Sequence, residues 1–164
     1  MRRFATGARK SYYDTMPVDL LRRATGRKIP SRRLKQVAQV LLQLARREDA
    51  ELSLVLIGNT EMQRLNARFR HKDYPTDVLS FPAANNLPTK APLLGDVIIS
   101  VDRAAAQAKE QRRTFDQEMV TLLIHGIVHL LGYDHERSAR EARRMRRLEK
   151  KMARQLCDLG LLKV

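Results

Sequence analysis

The chain has 164 residues, of which 43% are apolar and 30% charged, so its composition suits one folded domain and excludes wholesale disorder. No run approaches the roughly 20 apolar residues that cross a bilayer, and the basic residues 1–10 are not followed by the apolar core of a secretory signal. The single cysteine, Cys157, excludes an intrachain disulfide. We therefore expect a cytoplasmic protein without a membrane partner.

The net charge of +14 is unevenly distributed along the chain. Residues 1–47 carry 13 Lys or Arg and 2 Asp or Glu, residues 48–135 carry 9 and 12, and residues 136–164 carry 10 and 4. Basic ends around a slightly acidic middle suit the binding of a polyanion, and nucleic acid is the obvious one. The alternative is that the charges only solvate helix faces.

Four short segments have the composition of strands, and they are residues 18–21, 52–57, 77–81 and 96–100. Residues 83–94 form a polar, proline-bearing loop, and residues 1–15 read as a flexible basic arm that precedes a single domain over residues 16–164. Strands and helices do not alternate strictly. The sequence therefore predicts an α+β fold, a small mixed sheet of about four strands covered by helices.

Five helices are predicted between and after these strands. The first runs from Ser31 to about residue 47, and the second opens with a capping box of Thr60 and Gln63. Asp102 and Asp116 are predicted to cap the next two helices. The last helix covers about residues 138–159 and carries a row of basic side chains, which are Arg140, Arg143, Arg144, Arg147 and Lys151. That row is either a track for phosphates or a solvated face.

Three of the four histidines lie within eleven residues: His125, His129 and His135. Positions 125 and 129 project from one face of a helix a turn apart, and Gly132 lets the chain turn back so that His135 supplies a third nitrogen. Three neutral imidazoles leave the fourth position of a tetrahedral zinc site open, which is the catalytic rather than the structural pattern. The sequence therefore predicts a Zn²⁺ site at the end of a central helix, although imidazole also suits nickel, copper and iron.

The histidine spacing is that of the metzincin proteases, whose motif has a glutamate after the first histidine. Here that position is Gly126, so the usual general base of peptide hydrolysis is missing. Asp134 and Glu118 are nearby carboxylates, but neither occupies the matching place. A metalloprotease is therefore the least favoured reading.

Residues 125–135 gain specificity when read with three further blocks: Leu-Asn-Ala-Arg-Phe-Arg at 65–70, Thr-Asp-Val-Leu-Ser-Phe-Pro at 76–82 and Gly-Asp-Val-Ile-Ile-Ser at 95–100. Together, over about residues 50–155, they resemble the YbeY family of bacterial ribosomal-RNA maturation factors, also described as single-strand-specific endoribonucleases. The basic arm is longer than is common in that family.

The resemblance implies a zinc-binding α+β fold, processing of the 3′ end of small-subunit ribosomal RNA, ribosome quality control, and contacts with the small subunit and ribosomal proteins. It also implies that Arg70 is functionally important and lies near the metal. A guanidinium can hold two phosphate oxygens and stabilise the charge that develops at a phosphodiester, so Arg70 is the candidate catalytic residue. His71, Asp77 and Asp96 are ambiguous, as site residues or as ordinary loop and turn residues.

Three functions follow, in order of preference. The first is a zinc-dependent, single-strand-specific endoribonuclease in which His125, His129 and His135 hold the metal. The second is a ribosome-assembly factor with a structural metal, which the missing carboxylate base favours. The third is the metalloprotease.

Overall fold

The computed structural model describes residues 18–84 and 92–163 of the chain. Its strands are β1 (Val18–Arg22), β2 (Glu51–Ile57), β3 (Val78–Pro82) and β4 (Leu93–Ser100). Its helices are α1 (Ser31–Leu44), α2 (Asn59–Arg70), α3 (Val101–Glu110), α4 (Phe115–Leu130) and α5 (Ala139–Asp158). The predicted arm over residues 1–15 and most of the predicted loop, residues 85–91, lie outside the described residues.

The four strands form one sheet in the order β1-β2-β4-β3. β1, β2 and β4 are parallel, whereas β3 pairs with β4 antiparallel. Pro82 ends β3 at the sheet edge, where a missing backbone N–H costs no interior ladder bond. The predicted α+β fold with a small mixed sheet of four strands and covering helices is confirmed.

The alternation of side chains along the strands gives the sheet two unequal apolar faces. One face carries Leu52, Leu54 and Leu56 of β2 into the main core, which is closed by α1, α4 and α5. The other face carries Ile57 and Leu79 into a small cluster beneath α2. The larger core therefore fixes α4 against the sheet.

Helix α4 lies at the centre of the fold, with contacts to β3, β4, α1, α3 and α5. Its first turn is held by a capping box, in which Thr114 Oγ1 accepts from the Gln117 N–H and Gln117 Oε1 accepts from the Thr114 N–H. The predicted cap, Asp116, is wrong, because that carboxylate lies one residue inside the helix and pairs with Arg33 at 3.1 Å.

Two other predicted caps are also wrong. Ser100, not Asp102, caps α3, because its Oγ accepts from the Arg103 N–H at 3.2 Å. Helix α2 begins at Asn59 after Gly58 and has no side-chain cap of its own, so the predicted Thr60 box is not formed. Asp102 instead accepts from the Asn59 N–H at 2.8 Å and so caps α2 from a neighbouring helix.

The C-terminal end of α4 is closed by a Schellman motif. The Gly132 N–H donates to the His129 carbonyl at 2.9 Å, and the Tyr133 N–H donates to the Val128 carbonyl at 3.3 Å. Gly132 has φ +93°, which a glycine adopts without steric cost. The chain therefore reverses immediately after α4, where the sequence placed the stop.

Within the described ranges, no helix combines the length and apolarity that a bilayer span requires.

Candidate metal centre

The three predicted ligands meet at the C-terminal end of α4. Their candidate ligand nitrogens all lie within 4.8 Å of one another. His125 and His129 lie one turn apart on α4, with their Nε2 atoms 3.1 Å apart, and the ring centroid of His135 lies 5.4 Å from that of His125. The helix and the turn after it thus gather three imidazoles at a spacing that fits one ion.

The turn that carries His135 is fixed by its own side chains. Asp134 Oδ1 accepts from the Glu136 N–H at 2.8 Å, and its Oδ2 lies 3.3 Å from Arg137 Nε. The Glu136 hydrogen bond, ahead of the charge of Arg137, holds the pKa of Asp134 below its usual value. Asp134 therefore orders the segment before His135 as an ionised turn residue.

Glu149 of α5 is a site residue that sequence reasoning missed. Its Oε1 lies 2.7 Å from His125 Nδ1, and both side chains are largely shielded from solvent. An Nδ1–H donor to a carboxylate leaves Nε2 with its lone pair, on the side where His129 lies. A carboxylate behind a metal-binding imidazole is the usual way in which the ring's tautomer and orientation are fixed.

The electrostatics of His129 also suit a ligand. Burial lowers the pKa of His129, and the nearby rings of His125 and His135 lower it further. The neutral imidazole is therefore favoured, and it is the form that binds a metal ion.

Gly126, the position of the protease glutamate, is a packing position in this fold. A Cβ at Gly126 would lie 2.6 Å from Val97 Cγ1 and 3.2 Å from Ser80 Oγ. Ser80 Oγ also donates to the Gly126 carbonyl at 3.1 Å. Because α4 approaches β3 and β4 through this glycine, a side chain has no room there. The other carboxylate considered, Glu118, is buried near the start of α4 beside Arg113.

The histidines lie in a cleft of about 560 Å³, which we call the metal cleft. Its wall is formed by residues 69–70, 76–82, 125, 129 and 132–137. The structure therefore brings Arg70, the predicted catalytic residue, to the same cleft as the histidines. Arg70 Nη2 donates to Glu136 Oε1 at 3.0 Å, and both side chains are substantially exposed. Such an exposed pair contributes only about 0–1 kcal/mol, so it can readily be exchanged for another anion.

Phe69 is a second residue that the sequence did not single out. Its side chain lines the metal cleft, yet the residue is 51% exposed. The ring packs edge-on against Phe81, with centroids 4.9 Å apart, and Arg68 lies over it at 5.3 Å. An exposed aromatic face next to basic residues is the arrangement on which unpaired bases stack.

The remaining candidates fall into two groups. Asp77 lines the metal cleft, whereas His71 ends α2 and Asp96 lies in β4, and neither of these lines that cleft. The predicted basic row of α5 is exposed along its length, and its members are Arg140, Arg143, Arg144, Arg147 and Lys151. Arg144 pairs with Glu141 at 3.2 Å.

Comparison with known proteins bears on this arrangement. The family model described as "Endoribonuclease YbeY" matches residues 21–157. A relative of that name from Anaeromyxobacter sp. strain Fw109-5 is 49% identical over 76% of this chain and 64% of its own length. Another, from a Sulfurihydrogenibium species, is 42% identical over 81% of this chain and 88% of its own length. The match to a third, from Thermodesulfovibrio yellowstonii, also spans only 64% of the relative's length.

A solved structure supports the fold. The solution structure of TM1509 from Thermotoga maritima superimposes with a TM-score of 0.56 at 24% identity, over 88% of this chain and 94% of that one. The family model covers most of the chain, and the histidine cluster lies within the matched region. This chain belongs to the YbeY family.

Proposed function

We propose that this protein is a metal-dependent endoribonuclease that cleaves single-stranded RNA. The observation that carries the proposal is that three imidazoles, a weakly paired arginine and an exposed aromatic ring line one cleft. The relatives bear the name endoribonuclease, which agrees with this chemistry.

His125, His129 and His135 would hold the ion, and we infer that it is zinc because the donors are three imidazole nitrogens at tetrahedral-site spacing. Glu149 fits this role, since it presents His125 through Nε2. When bound, a zinc ion supplies Lewis-acid chemistry to a phosphodiester.

The chain's own residues would bind and orient the substrate. Arg70 would exchange Glu136 for a phosphate, donating two N–H groups to its oxygens where negative charge develops. Phe69 would stack an unpaired base at the cleft wall. Bases of a duplex are already stacked on each other, so this contact favours single strands.

We further propose that the substrate is ribosomal RNA, at the 3′ end of the small-subunit RNA, and that the protein acts in the cytoplasm in contact with the small subunit and ribosomal proteins. The sequence resemblance supports this assignment, as does the basic surface of α5, which suits a phosphate backbone. Ribosome quality control would use the same cleavage.

The test is cleavage of end-labelled single-stranded RNA after chelation and after addition of Zn²⁺ or another divalent ion. We expect chelation to abolish cleavage and Zn²⁺ to restore it. Arg70→Ala should lower kcat/KM roughly 100-fold, the usual effect of removing a donor to developing charge. Arg64→Ala, an exposed arginine of α2 outside the metal cleft, is the matched control and should change little. Cleavage that survives chelation unchanged would contradict the proposal.

A further inference from the structure

A second cavity, of about 490 Å³, lies directly beside the metal cleft. It lies between α4 and α5, is closed at one end by α3, and is called the α4–α5 cavity here. Asp77 and His125 line both spaces, so they form a shared wall. A chain-like ligand that passes the histidines can therefore continue into this cavity.

The acidic groups in the cavity wall are already engaged. Asp77 Oδ2 accepts from Gln107 at 2.9 Å, Glu118 pairs with Arg113, and Glu149 holds His125. Their negative charge is thus compensated within the protein, and it does not repel an incoming anion as three free carboxylates would.

Two basic residues of α5, Arg146 and Lys150, line the same cavity and are exposed. Neither forms an ion pair or hydrogen bond with any residue in the ranges 18–84 and 92–163. They differ in this from Arg144 of the same helix, which pairs with Glu141. Two unpaired cations at a cavity make it receptive to a phosphate.

The interior of the cavity has the character of a base site rather than of a simple ion site. Leu122, Ile124 and Ala153 provide apolar wall. Gln107 Oε1 also belongs to this region, and it is a buried acceptor with no hydrogen-bond partner, whereas its Nε2 is used by Asp77. A buried acceptor without a donor is costly, and the amino group of a base would satisfy it.

We propose that the α4–α5 cavity binds a nucleotide of the RNA strand next to the phosphate that lies at the histidines. Its phosphate lies on Arg146 and Lys150, and its base lies against the apolar wall beside Gln107. This inference rests on the proposed endoribonuclease function. It adds a subsite that extends the metal cleft on the α5 side.

The test is the affinity of a short, fluorescein-labelled single-stranded RNA in EDTA, which removes the metal and so separates binding from cleavage. The double variant Arg146→Ala/Lys150→Ala is compared with Arg143→Ala/Arg147→Ala. The control removes two exposed charges from the same helix outside the cavity. Circular dichroism checks that both variants are folded.

The cavity variant should bind at least about tenfold more weakly at about 0.1 M salt, and its salt slope should fall by about 1.4, at about 0.7 for each lost phosphate contact on a single strand. The control should change affinity less than about twofold, since its residues do not meet the bound nucleotide in this arrangement. Ala153→Phe, which fills the cavity without changing charge, should weaken binding as well.

Equal losses in the two double variants, or no loss in either, would overturn the cavity proposal while wild-type cleavage leaves the endoribonuclease proposal standing. A wild-type protein that neither binds nor cleaves the RNA would overturn both.

Discussion

Glu149 of α5 lies 2.7 Å from the Nδ1 atom of His125 on α4. The last helix thus reaches back, across 24 residues of chain, to orient the first histidine of the cluster. The metal centre therefore depends on the docking of α5 as well as on the histidine motif.

The first prediction concerns this contact. Glu149→Ala should weaken Zn²⁺ binding about 10- to 100-fold, because His125 loses the partner that sets its tautomer and orientation. Competition with a chromophoric chelator measures the affinity. Glu141→Ala removes an acid from the same helix that pairs only with Arg144, so it should bind zinc as the wild type does. Wild-type affinity in Glu149→Ala would contradict the role given to this contact.

The second prediction concerns the glycine that replaces the protease glutamate. Gly126→Ala should lower the free energy of unfolding by about 1–3 kcal/mol, the usual cost of overpacking a close interface. The added Cβ would meet Val97, which is fully buried. Urea denaturation measures the change. In a Val97→Ala background the same substitution should cost less, and an equal cost in both backgrounds would show that this contact is not the cause.

The third prediction concerns base stacking. Phe69→Ala should weaken the binding of single-stranded RNA by about 1–3 kcal/mol, the usual contribution of one stacked base. Fluorescence anisotropy in EDTA isolates binding. Tyr74 is 53% exposed but lies outside the metal cleft, so Tyr74→Ala is the matched control and should retain wild-type affinity. Equal losses in the two variants would remove the stacking role of Phe69.

The fourth prediction concerns the pH dependence of stability. Burial alone would raise the pKa of Asp77, but hydrogen bonds from Gln107 and from the Val78 N–H outweigh it and hold the pKa below 3.8. A lowered folded-state pKa gives stability that is present above the unfolded-state pKa and is lost as pH falls through the folded one. Asp77→Asn should therefore be less stable than wild type at neutral pH, and the difference should shrink below about pH 4.

Urea denaturation from about pH 7 to about pH 3 measures this difference. Asp158→Asn, at the exposed end of α5, is the control and should follow the wild-type profile. A difference between Asp77→Asn and wild type that stays constant or grows as pH falls would contradict the sign of the linkage.

The elements and the histidine cluster could be predicted because they rest on local periodicity. Residues 125 and 129 share a helix face by spacing alone, and Gly132 marks the turn that returns residue 135. The helix caps were harder, since Ser100 and Asp102, or Thr114 and Asp116, are equally good caps by residue type. Which of them caps depends on where the last strand or loop residue leaves the backbone.

The contacts between distant segments could not be predicted from spacing. Glu149 and His125 meet only after α5 packs on α4, and Gly126 is understood only once Val97 is seen beneath it. The same is true of Phe69, whose exposure at the metal cleft depends on how α2 lies beside β3. A sequence pattern can indicate the residue types of a site, but the supporting residues come from tertiary packing.

The central claim is that the histidine cluster makes this protein an RNA-cleaving enzyme. The most direct measurement compares cleavage of end-labelled single-stranded RNA by wild type and by His125→Ala/His129→Ala, purified identically and shown to be folded by circular dichroism. The account predicts that only the wild type cleaves. Equal cleavage by both proteins, or none by either, would contradict it and favour a ribosome-binding factor with a structural metal.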